Sequence, residues 1–316
     1  MRAVAAPTQE DLDAAAAVVA ARLAPTPVVA APVLGDDVFL KLDTLQPTGS
    51  FKLRGALAAL SRVGGAPVIA ASAGNHGLGV AWAAAELAMR ATVVVPETAS
   101  PAKVAALRAL PVALEQHGAD YDAAEAHALA LAGRGAVFVS PYNDTGVIAG
   151  QSTIGRELEQ QLPGPLTVVC PVGGGGLASG VGLWAAGRGG TRVVGVEAER
   201  SPAFTAALSA GAITPIEPGE SLADGLGGNL EPGSITFELV REHVAAIATV
   251  SEAEIAEALR MLARAHGLVA EGAGGVAVAG VMTGRVARGD GRTVVILTGR
   301  NIALPQLAAV LTGADE

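Results

Sequence analysis

The sequence has 316 residues, of which 51% are hydrophobic and only 3% aromatic, and its formal net charge is −9 at pH 7. This length favours one large or two medium domains over a single small core. The negative charge argues against a nucleic-acid backbone as partner, and no apolar run reaches the roughly 20 residues that span a bilayer.

The N-terminus is acidic where a secretory signal would be basic. Glu10, Asp11 and Asp13 precede an Ala/Val run, which is the wrong order for a signal peptide. We therefore expect a cytoplasmic protein with no membrane partner. Cys170, the only cysteine, stands in an apolar run that predicts a buried core thiol. The five histidines form no Cys/His cluster with metal-ligand spacing, so we expect no zinc site.

The first predicted element is a helix over 8–23. Short β-rich segments then recur at intervals too long for hairpins, and stretches with helical spacing separate them. Strands that alternate with helices form parallel sheets covered by helices on both faces. The predicted strands are 38–40, 68–71, 91–95, 136–139, 167–172, 192–196 and 293–297, and further helices are predicted over 102–110, 122–132 and 251–266.

The predicted fold is therefore α/β, with parallel-type twisted sheets flanked by helices. In open sheets of this kind, ligands bind at the carboxyl ends of the strands. Three turns that follow predicted strands are rich in glycine or polar residues, namely 71–77, 171–180 and 296–301. We expect the functional site where these turns meet.

Four glycines occupy positions 173–176, between a hydrophobic strand and a helix that starts near Leu177. Such a run lets the backbone fold closely around a ligand and aim N–H groups at it, and the helix N-terminus adds its positive dipole end. The pattern is typical of a phosphate cradle. Two alternatives stay open: a flexible turn without a ligand, or a nucleotide site in which Glu197 is the acidic residue that follows the glycines.

The turn at 71–77 combines the hydroxyl of Ser72, the amide of Asn75 and the imidazole of His76 with small residues. Free N–H groups at the start of a helix hold a carboxylate well. Ordinary capping of the helix by Ser72 or Asn75 is the alternative interpretation.

Only three of the 21 basic residues are lysines: Lys41, Lys52 and Lys103. Lys52 lies between Phe51 and Leu53, where a helix should begin. Desolvation among apolar groups disfavours the ammonium form and lowers the pKa of a lysine. A neutral amine is the form that reacts with an aldehyde to give a Schiff base. A solvated lysine without a role is the alternative.

Together these segments resemble the fold-type II pyridoxal phosphate enzymes, whose fold is tryptophan synthase β-like, and specifically their threonine/serine dehydratase and serine racemase branch. The match runs in order along nearly the whole chain, which leaves little room for coincidence. The matching segments are GSFKLRGA (49–56), SAGNHG (72–77), VIAGQ (147–151), GGGG (173–176), GVE (195–197), LADG (222–225), EGAG (271–274) and the turn that begins at Thr298.

The resemblance implies pyridoxal 5'-phosphate as cofactor and a role for each motif. Lys52 is expected to form the internal aldimine and to carry a proton at the substrate α-carbon. Thr298 is expected to face the pyridine nitrogen, and its hydroxyl leaves that nitrogen largely unprotonated, which favours β-elimination over transamination. The expected cofactor contacts are Phe51, Lys52, Asn75, Asn143, Gly173, Gly174, Gly175, Gly176, Leu177 and Thr298, and the expected substrate contacts are Ser72, Ala73, Gly74, Asn75 and His76.

The activity implied by the resemblance is that of an ammonia-lyase, or dehydratase. It would remove water from L-threonine, L-serine or a related 3-hydroxy amino acid and release a 2-oxo acid and ammonia. An amino-acid racemase stays an alternative, but racemases of this branch carry a serine acid/base at the position of Ala73. The third hypothesis is a non-catalytic binder of an anionic small molecule, which leaves Lys52 without a use. We expect a homodimer that acts on a small-molecule substrate.

Two departures from the family pattern concern ligands. The racemase cation site uses a carboxylate segment that here spans 197–203 and ends in Ala203 rather than an acid. A cation near Glu197 is therefore an open expectation. Arg300 stands where the dehydratases commonly have glycine or alanine. It either alters substrate choice or is a solvated side chain.

The resemblance also predicts the domain organisation. Residues 1–66 and 145–316 are expected to form a large cofactor-binding domain, and 67–144 a small mobile domain that closes over substrate. The chain ends about fifteen residues after Asn301, which leaves no room for the C-terminal regulatory domain of isoleucine-responsive dehydratases. We therefore expect the catalytic domain only.

Overall fold

A computed structural model describes residues 3–287, 289 and 291–313. The strands are β1 (Val28–Ala30), β2 (Val38–Leu42), β3 (Val68–Ala71), β4 (Ala91–Val95), β5 (Ala113–Gln116), β6 (Val137–Phe138), β7 (Leu166–Pro171), β8 (Arg192–Ala198), β9 (Ala246–Val250) and β10 (Arg292–Leu297). They form a six-stranded sheet in the order β1-β2-β10-β7-β8-β9 and a four-stranded sheet in the order β5-β4-β3-β6. All neighbouring strands are parallel except the pair β1–β2.

Helices cover both faces of the sheets. They are α1 (Gln9–Ala20), α2 (Lys52–Ser61), α3 (Asn75–Glu86), α4 (Pro101–Arg108), α5 (Tyr121–Ala132), α6 (Thr145–Gln151), α7 (Thr153–Gln161), α8 (Gly176–Ala185), α9 (Ala203–Ala210), α10 (Ile235–His243), α11 (Glu252–His266), α12 (Gly272–Met282) and α13 (Leu304–Thr312). Buried side chains of α11 and α12 pack on one face of the six-stranded sheet, and those of α7, α8, α9 and α10 pack on the other. The predicted α/β class is confirmed.

Helix α2 lies between α3 and α6, and its packing against them fixes the position of Lys52, its first residue. Leu53 and Leu57 are buried in the same apolar cluster as Val80 of α3. On its other side α2 contacts α6 so closely that a Cβ on Gly150 would lie 2.6 Å from Gly55 Cα. Side chains larger than hydrogen at these two glycines would force the helices apart.

Buried ion pairs fix the first turn of α2 in place. Arg54 Nε donates to Asp43 Oδ2 at 2.8 Å, and both side chains are fully buried. The same guanidinium pairs with Glu157 of α7, which also accepts from the buried Lys41. Two buried cations therefore face two carboxylates. Because each charge is compensated, the network tolerates burial, whereas removal of one partner would leave an unpaired charge.

The predicted elements agree in detail where their apolar patterns are strong. The predicted bounds of β3 and β4 are those observed, and α1 and α11 begin with capping boxes at Thr8 and Ser251. The strands β1, β5 and β9 were not predicted. Cys170 is a buried thiol, as predicted. No helix in the described part of the chain is long and apolar enough to cross a membrane.

The predicted domain boundaries stay a prediction. All four strands of the smaller sheet lie within 67–144, and the six strands of the larger sheet lie outside that range. Nearly all strands are parallel, so a ligand is expected at the edges where the strands end. These edges are formed by the carboxyl ends of β3, β7 and β10 and by the N-termini of the helices that follow them.

Candidate active site

Lys52 is the first residue of α2, and the end of β10 places it. The Phe51 N–H donates to the Thr298 carbonyl at 2.9 Å, and Ser50 pairs with Gly299 in a short antiparallel bridge. The Lys52 amine lies 5.2 Å from the centre of the Phe51 ring and donates to the Pro141 carbonyl at 2.9 Å. The amine is therefore partly buried between an aromatic ring and a backbone carbonyl.

The amine of Lys52 and the carboxyl of Glu271 have pKa values that are shifted toward each other. Burial lowers the pKa of Lys52 to about 8, although the attraction of Glu271 opposes this shift. Burial raises the pKa of Glu271 to about 7, and the hydrogen bond from Asn75 opposes that shift. Both groups can therefore change protonation near neutral pH, which suits proton transfer. Sequence reasoning assigned no role to Glu271, although it noted the motif that contains it.

The glycines at 173–176 leave no room for side chains. A Cβ on Gly173 would lie 2.9 Å from Leu226 Cα. A Cβ on Gly174 would lie 2.8 Å from Tyr142 Cδ2 and closer still to Cγ and Cδ1. Gly175 has φ +83°, which L-residues with side chains rarely adopt. The backbone is thus enclosed by Leu226 and Tyr142, and only glycine fits between them.

The same loop opens helix α8 toward the site. The first hydrogen bond within the helix runs from the Ser179 N–H to the Gly175 carbonyl at 2.8 Å. The N–H groups of the preceding residues, which include Leu177, therefore have no acceptor within the helix. Thr236 Oγ1 donates to the Gly174 carbonyl at 2.8 Å and ties that acceptor to α10. The loop therefore offers donors to an anion at the positive end of a helix dipole.

Asn143 and Tyr142 form the outer wall of the loop. Asn143 Nδ2 donates to Glu231 Oε2 at 2.8 Å, and its Oδ1 accepts from the Ile235 N–H at 3.2 Å. The Glu231 N–H donates to the Tyr142 hydroxyl at 2.8 Å. Asn143 is thus held beside the glycine loop, and its contact with a cofactor ring stays a prediction. Tyr142 and Glu231 were not foreseen from sequence.

The turn between β3 and α3 presents backbone donors. The Ser72 hydroxyl accepts from the Gly74 N–H at 3.1 Å, which shapes the turn. Helix α3 begins at Asn75, and its first intrahelical bond runs from Leu78 N–H to the Gly74 carbonyl. The N–H groups of Asn75, His76 and the following glycine are therefore the available donors for a carboxylate.

His76 serves the turn as a neutral, buried side chain. Its Nε2 lies 2.9 Å from the Val139 carbonyl, and because a carbonyl only accepts, this nitrogen carries the hydrogen. Burial and the charge of Lys52 lower the pKa of His76 to about 3. Its buried Nδ1 has no hydrogen-bond partner among the described residues. A substrate carboxylate would therefore be held by the backbone of this turn rather than by an imidazolium.

Three further predicted positions are placed as follows. Thr298 is 2% exposed and follows the last residue of β10. Ala73 lies in the Ser72 turn and packs against an apolar cluster. Arg300 donates its backbone N–H to the Gly49 carbonyl at 3.0 Å, and its side chain is exposed. The structure thus brings Lys52 close to Thr298 and to His76 of the Ser72 turn, and Tyr142 connects this group to the glycine loop. We call the region where these parts meet the cleft.

The structure gives no support to a cation at Glu197. Its Oε1 accepts from the Phe204 N–H at 2.7 Å, and its Oε2 accepts from the N–H and hydroxyl of Thr205 at 2.9 and 2.6 Å. These bonds cap α9. Among the described residues, no group of three His, Cys, Asp or Glu side chains could hold a metal ion.

Two mainly parallel sheets, with a desolvated lysine between a glycine-lined anion cradle and a second helix N-terminus, define the fold-type II class of pyridoxal phosphate enzymes. The family model described as pyridoxal-phosphate dependent enzyme matches residues 19–299. The chain belongs to this family.

Curated relatives narrow the comparison. The chain is 40% identical over 285 residues to an L-threonine ammonia-lyase of Thermotoga maritima, covering 88% of this chain and 71% of that protein. It is 37% identical over 289 residues to a catabolic L-threonine dehydratase of Escherichia coli, covering 88% and 87% respectively. The predicted threonine/serine dehydratase family is therefore confirmed.

Solved structures give the same result for the fold. The processed threonine deaminase isoform 2 of Solanum lycopersicum superposes with a TM-score of 0.87 at 30% identity, covering 99% of this chain and 96% of that one. Maize serine racemase superposes with a TM-score of 0.89 at 26% identity, covering 98% of each chain. Dehydratases and racemases thus share this architecture, so the choice between them depends on individual side chains.

Proposed function

We propose that this protein is a pyridoxal phosphate-dependent ammonia-lyase that removes water from L-threonine, L-serine or a related 3-hydroxy amino acid. The products are a 2-oxo acid and ammonia. The observation that carries the proposal is the position of the Lys52 amine at the start of α2, where it donates to the Pro141 carbonyl next to Tyr142 of the loop wall and acts on His76 of the Ser72 turn. The names of the relatives support the choice of substrate.

The residues present fit the cofactor. Side chains at Gly173 and Gly174 would clash with their neighbours. Because these positions are glycine, the backbone of the loop can lie close to a phosphate and surround it with N–H groups. Lys52, whose burial lowers its pKa to about 8, supplies an amine able to hold the cofactor as a Schiff base. Phe51 supplies an aromatic face beside it, and Thr298 supplies a hydroxyl for the pyridine nitrogen. When bound, the cofactor supplies an electron sink for the negative charge left at the substrate α-carbon.

The protein's own groups position the substrate and move its protons. The N–H groups at the start of α3 hold the substrate carboxylate, since they have no acceptor within the helix. The Lys52 amine takes the proton from the α-carbon. The carboxylate of Glu271, whose pKa is raised to about 7, stabilises the lysine ammonium that results. The ammonium returns the proton to the β-hydroxyl as the Cβ–O bond breaks, so that this group leaves as water and the amine is regenerated.

Ala73 favours elimination over racemisation. A racemase needs a proton donor on the face of the α-carbon opposite the lysine, and the methyl group of Ala73 carries no proton that can be transferred. Incubation with L-serine, followed by assays for both pyruvate and D-serine, separates the two activities. Pyruvate without D-serine is the expected result, and substantial D-serine would show that another group serves the opposite face.

The activity is tested by ammonia release from a panel of 3-hydroxy amino acids after cofactor loading. Borohydride reduction of the loaded protein should attach the cofactor at Lys52, and Lys52→Ala should abolish both the attachment and ammonia release. Attachment at Lys41 or Lys103 would contradict the assignment. A non-catalytic binder predicts that the protein acquires no visible absorption band with pyridoxal phosphate and releases no ammonia from any substrate in the panel.

We further propose that the protein is a cytoplasmic homodimer and that 67–144 moves as a small domain over the substrate. All four strands of the smaller sheet lie in that range, which supports the domain proposal. The dimer proposal is supported by exposed apolar side chains, such as Leu304 at 78% exposure and Leu45 at 48% exposure. Light scattering on the purified protein tests the dimer. Structures with and without a non-reactive substrate analogue test closure, because an unchanged orientation of 67–144 would exclude it.

A further inference from the structure

Three side chains from distant parts of the chain form one line of hydrogen bonds across the cleft, which we call the amide relay: Asn301, Asn75 and Glu271. Asn301 Nδ2 donates to the Thr48 carbonyl at 2.8 Å and to Asn75 Oδ1 at 2.6 Å. Asn75 Nδ2 donates to Glu271 Oε1 at 2.7 Å. Asn75 begins α3 beside the smaller sheet, whereas Glu271 precedes α12 and Asn301 follows β10 of the larger sheet. The relay therefore joins the two sides of the cleft.

The carbonyl of Thr48 sets the direction of the relay. A backbone carbonyl only accepts, so the end of the Asn301 amide that faces it is the amino group. The second hydrogen of that amino group points at Asn75, which must present its oxygen. A reversed Asn75 amide would set donor against donor at Asn301 whatever the state of Glu271, and acceptor against acceptor at Glu271 when that carboxyl is ionised. The hydrogen bonds of Asn301 therefore fix the orientation of the Asn75 amide.

This orientation has a consequence for the proposed cofactor, because the amino group of Asn75 has two hydrogens and Glu271 accepts only one. We propose that Asn301 and Glu271 are positioning residues that hold the Asn75 amide with its amino group forward, so that its second N–H donates to the ring oxygen of the cofactor. The inference rests on the proposed function. A donor at that oxygen stabilises its ionised form and lowers the pH at which the bound cofactor changes its visible absorption.

The substitution Asn301→Asp tests the relay because it keeps the shape of the side chain and replaces the donor by an acceptor. Asn75 would then turn its amino group toward the new carboxylate and its oxygen toward the cofactor. The midpoint of the pH-dependent absorption change should rise by about one pH unit, the size expected for loss of a hydrogen bond to a charged group. Residue 301 is exposed, so the variant should fold.

The new charge alone could also raise the midpoint, and a second background separates the two causes. In Asn75→Ala the donor is already absent, so Asn301→Asp should add little there if the relay is correct. A shift of equal size in both backgrounds would show that the carboxylate acts through its field, and would overturn the proposal. Gln116→Glu, the same chemical change on the exposed strand β5, is the matched control and should leave the midpoint unchanged.

The outcome distinguishes failure of the relay from failure of the proposed function. A wild-type protein that acquires no visible band with pyridoxal phosphate would refute the function. A wild-type protein with a normal band, together with an Asn301→Asp variant whose midpoint is unmoved, would refute the relay and leave the function standing. The absorption is measured without substrate, so the result does not depend on turnover.

Discussion

The contact between Gly174 and Tyr142 gives a quantitative test of the phosphate cradle. In Gly174→Ala the new Cβ would lie 2.8 Å from Tyr142 Cδ2 and closer to two other ring atoms. Ordinary carbon contacts begin near 3.4 Å, so the loop or the ring must move by about 1 Å to clear the two nearer ring atoms. Overpacking of this kind costs about 1–3 kcal/mol. If the cradle binds phosphate only in its present shape, the cofactor dissociation constant should rise about 5- to 150-fold.

The assay is titration of the apoprotein with pyridoxal phosphate, followed by the visible band. Gly189→Ala is the matched control because a Cβ at Gly189 would meet no atom of the described residues within 4 Å. Tyr142→Ala should relieve the clash, so that Gly174→Ala has a smaller effect in that background. Equal affinity of Gly174→Ala and wild type would refute the view that this loop is the cradle. An equal loss in both backgrounds would refute the role of the Tyr142 ring.

Three further predictions concern buried charges. Because burial lowers the pKa of Lys52 to about 8, the rate of cofactor uptake by apoprotein should level off above about pH 8 instead of rising toward pH 10, as stopped-flow absorbance would show. Burial raises the pKa of Glu271 to about 7 from 4.5. The native state therefore holds a proton that the unfolded state releases, and the stability of the apoprotein relative to Glu271→Gln should fall between about pH 4.5 and 7, by at most about 3 kcal/mol in urea unfolding. Arg54→Met should cost about 3–5 kcal/mol of stability because it leaves the buried Asp43 without its cation and Glu157 paired with Lys41 alone, whereas Arg156→Met at an exposed pair should cost no more than about 1 kcal/mol. Similar losses for the two arginine variants would contradict this account.

The fold was predictable where local pattern and tertiary environment agree. The strands β3 and β4 are mostly buried runs of Val, Ile, Ala and Thr, and such runs are readable without knowledge of their neighbours. The strand β5 reads Ala-Leu-Glu-Gln at an exposed sheet edge, and nothing in those four residues favours a strand over a helix. Its conformation comes from pairing with β4. The three-residue β1 likewise depends on its partner β2.

The site was predictable to the extent that its motifs are contiguous. The glycine run and the Ser72 turn are each encoded within a few residues, so their chemistry could be read directly. Glu271 could not be assigned in this way, because its partner Asn75 is 196 positions away. The raised pKa of its carboxyl also arises from burial that only the folded chain creates. Tyr142 was missed for the same reason, since its contact with Gly174 joins segments from separate parts of the chain.

The distribution of contacts across the cleft explains why one architecture serves more than one reaction. The larger sheet carries Lys52, the glycine loop and Thr298, the parts that a cofactor needs, and most of them are backbone groups at glycines or strand ends. The smaller sheet carries the Ser72 turn, where we propose that the side chain of residue 73 decides which face of the substrate can receive a proton. A change at residue 73 from alanine to serine would leave the cradle and the lysine untouched. Ala73→Ser should therefore add detectable D-serine formation to pyruvate formation if reaction choice resides in this turn, and the absence of D-serine would place that choice elsewhere in the cleft.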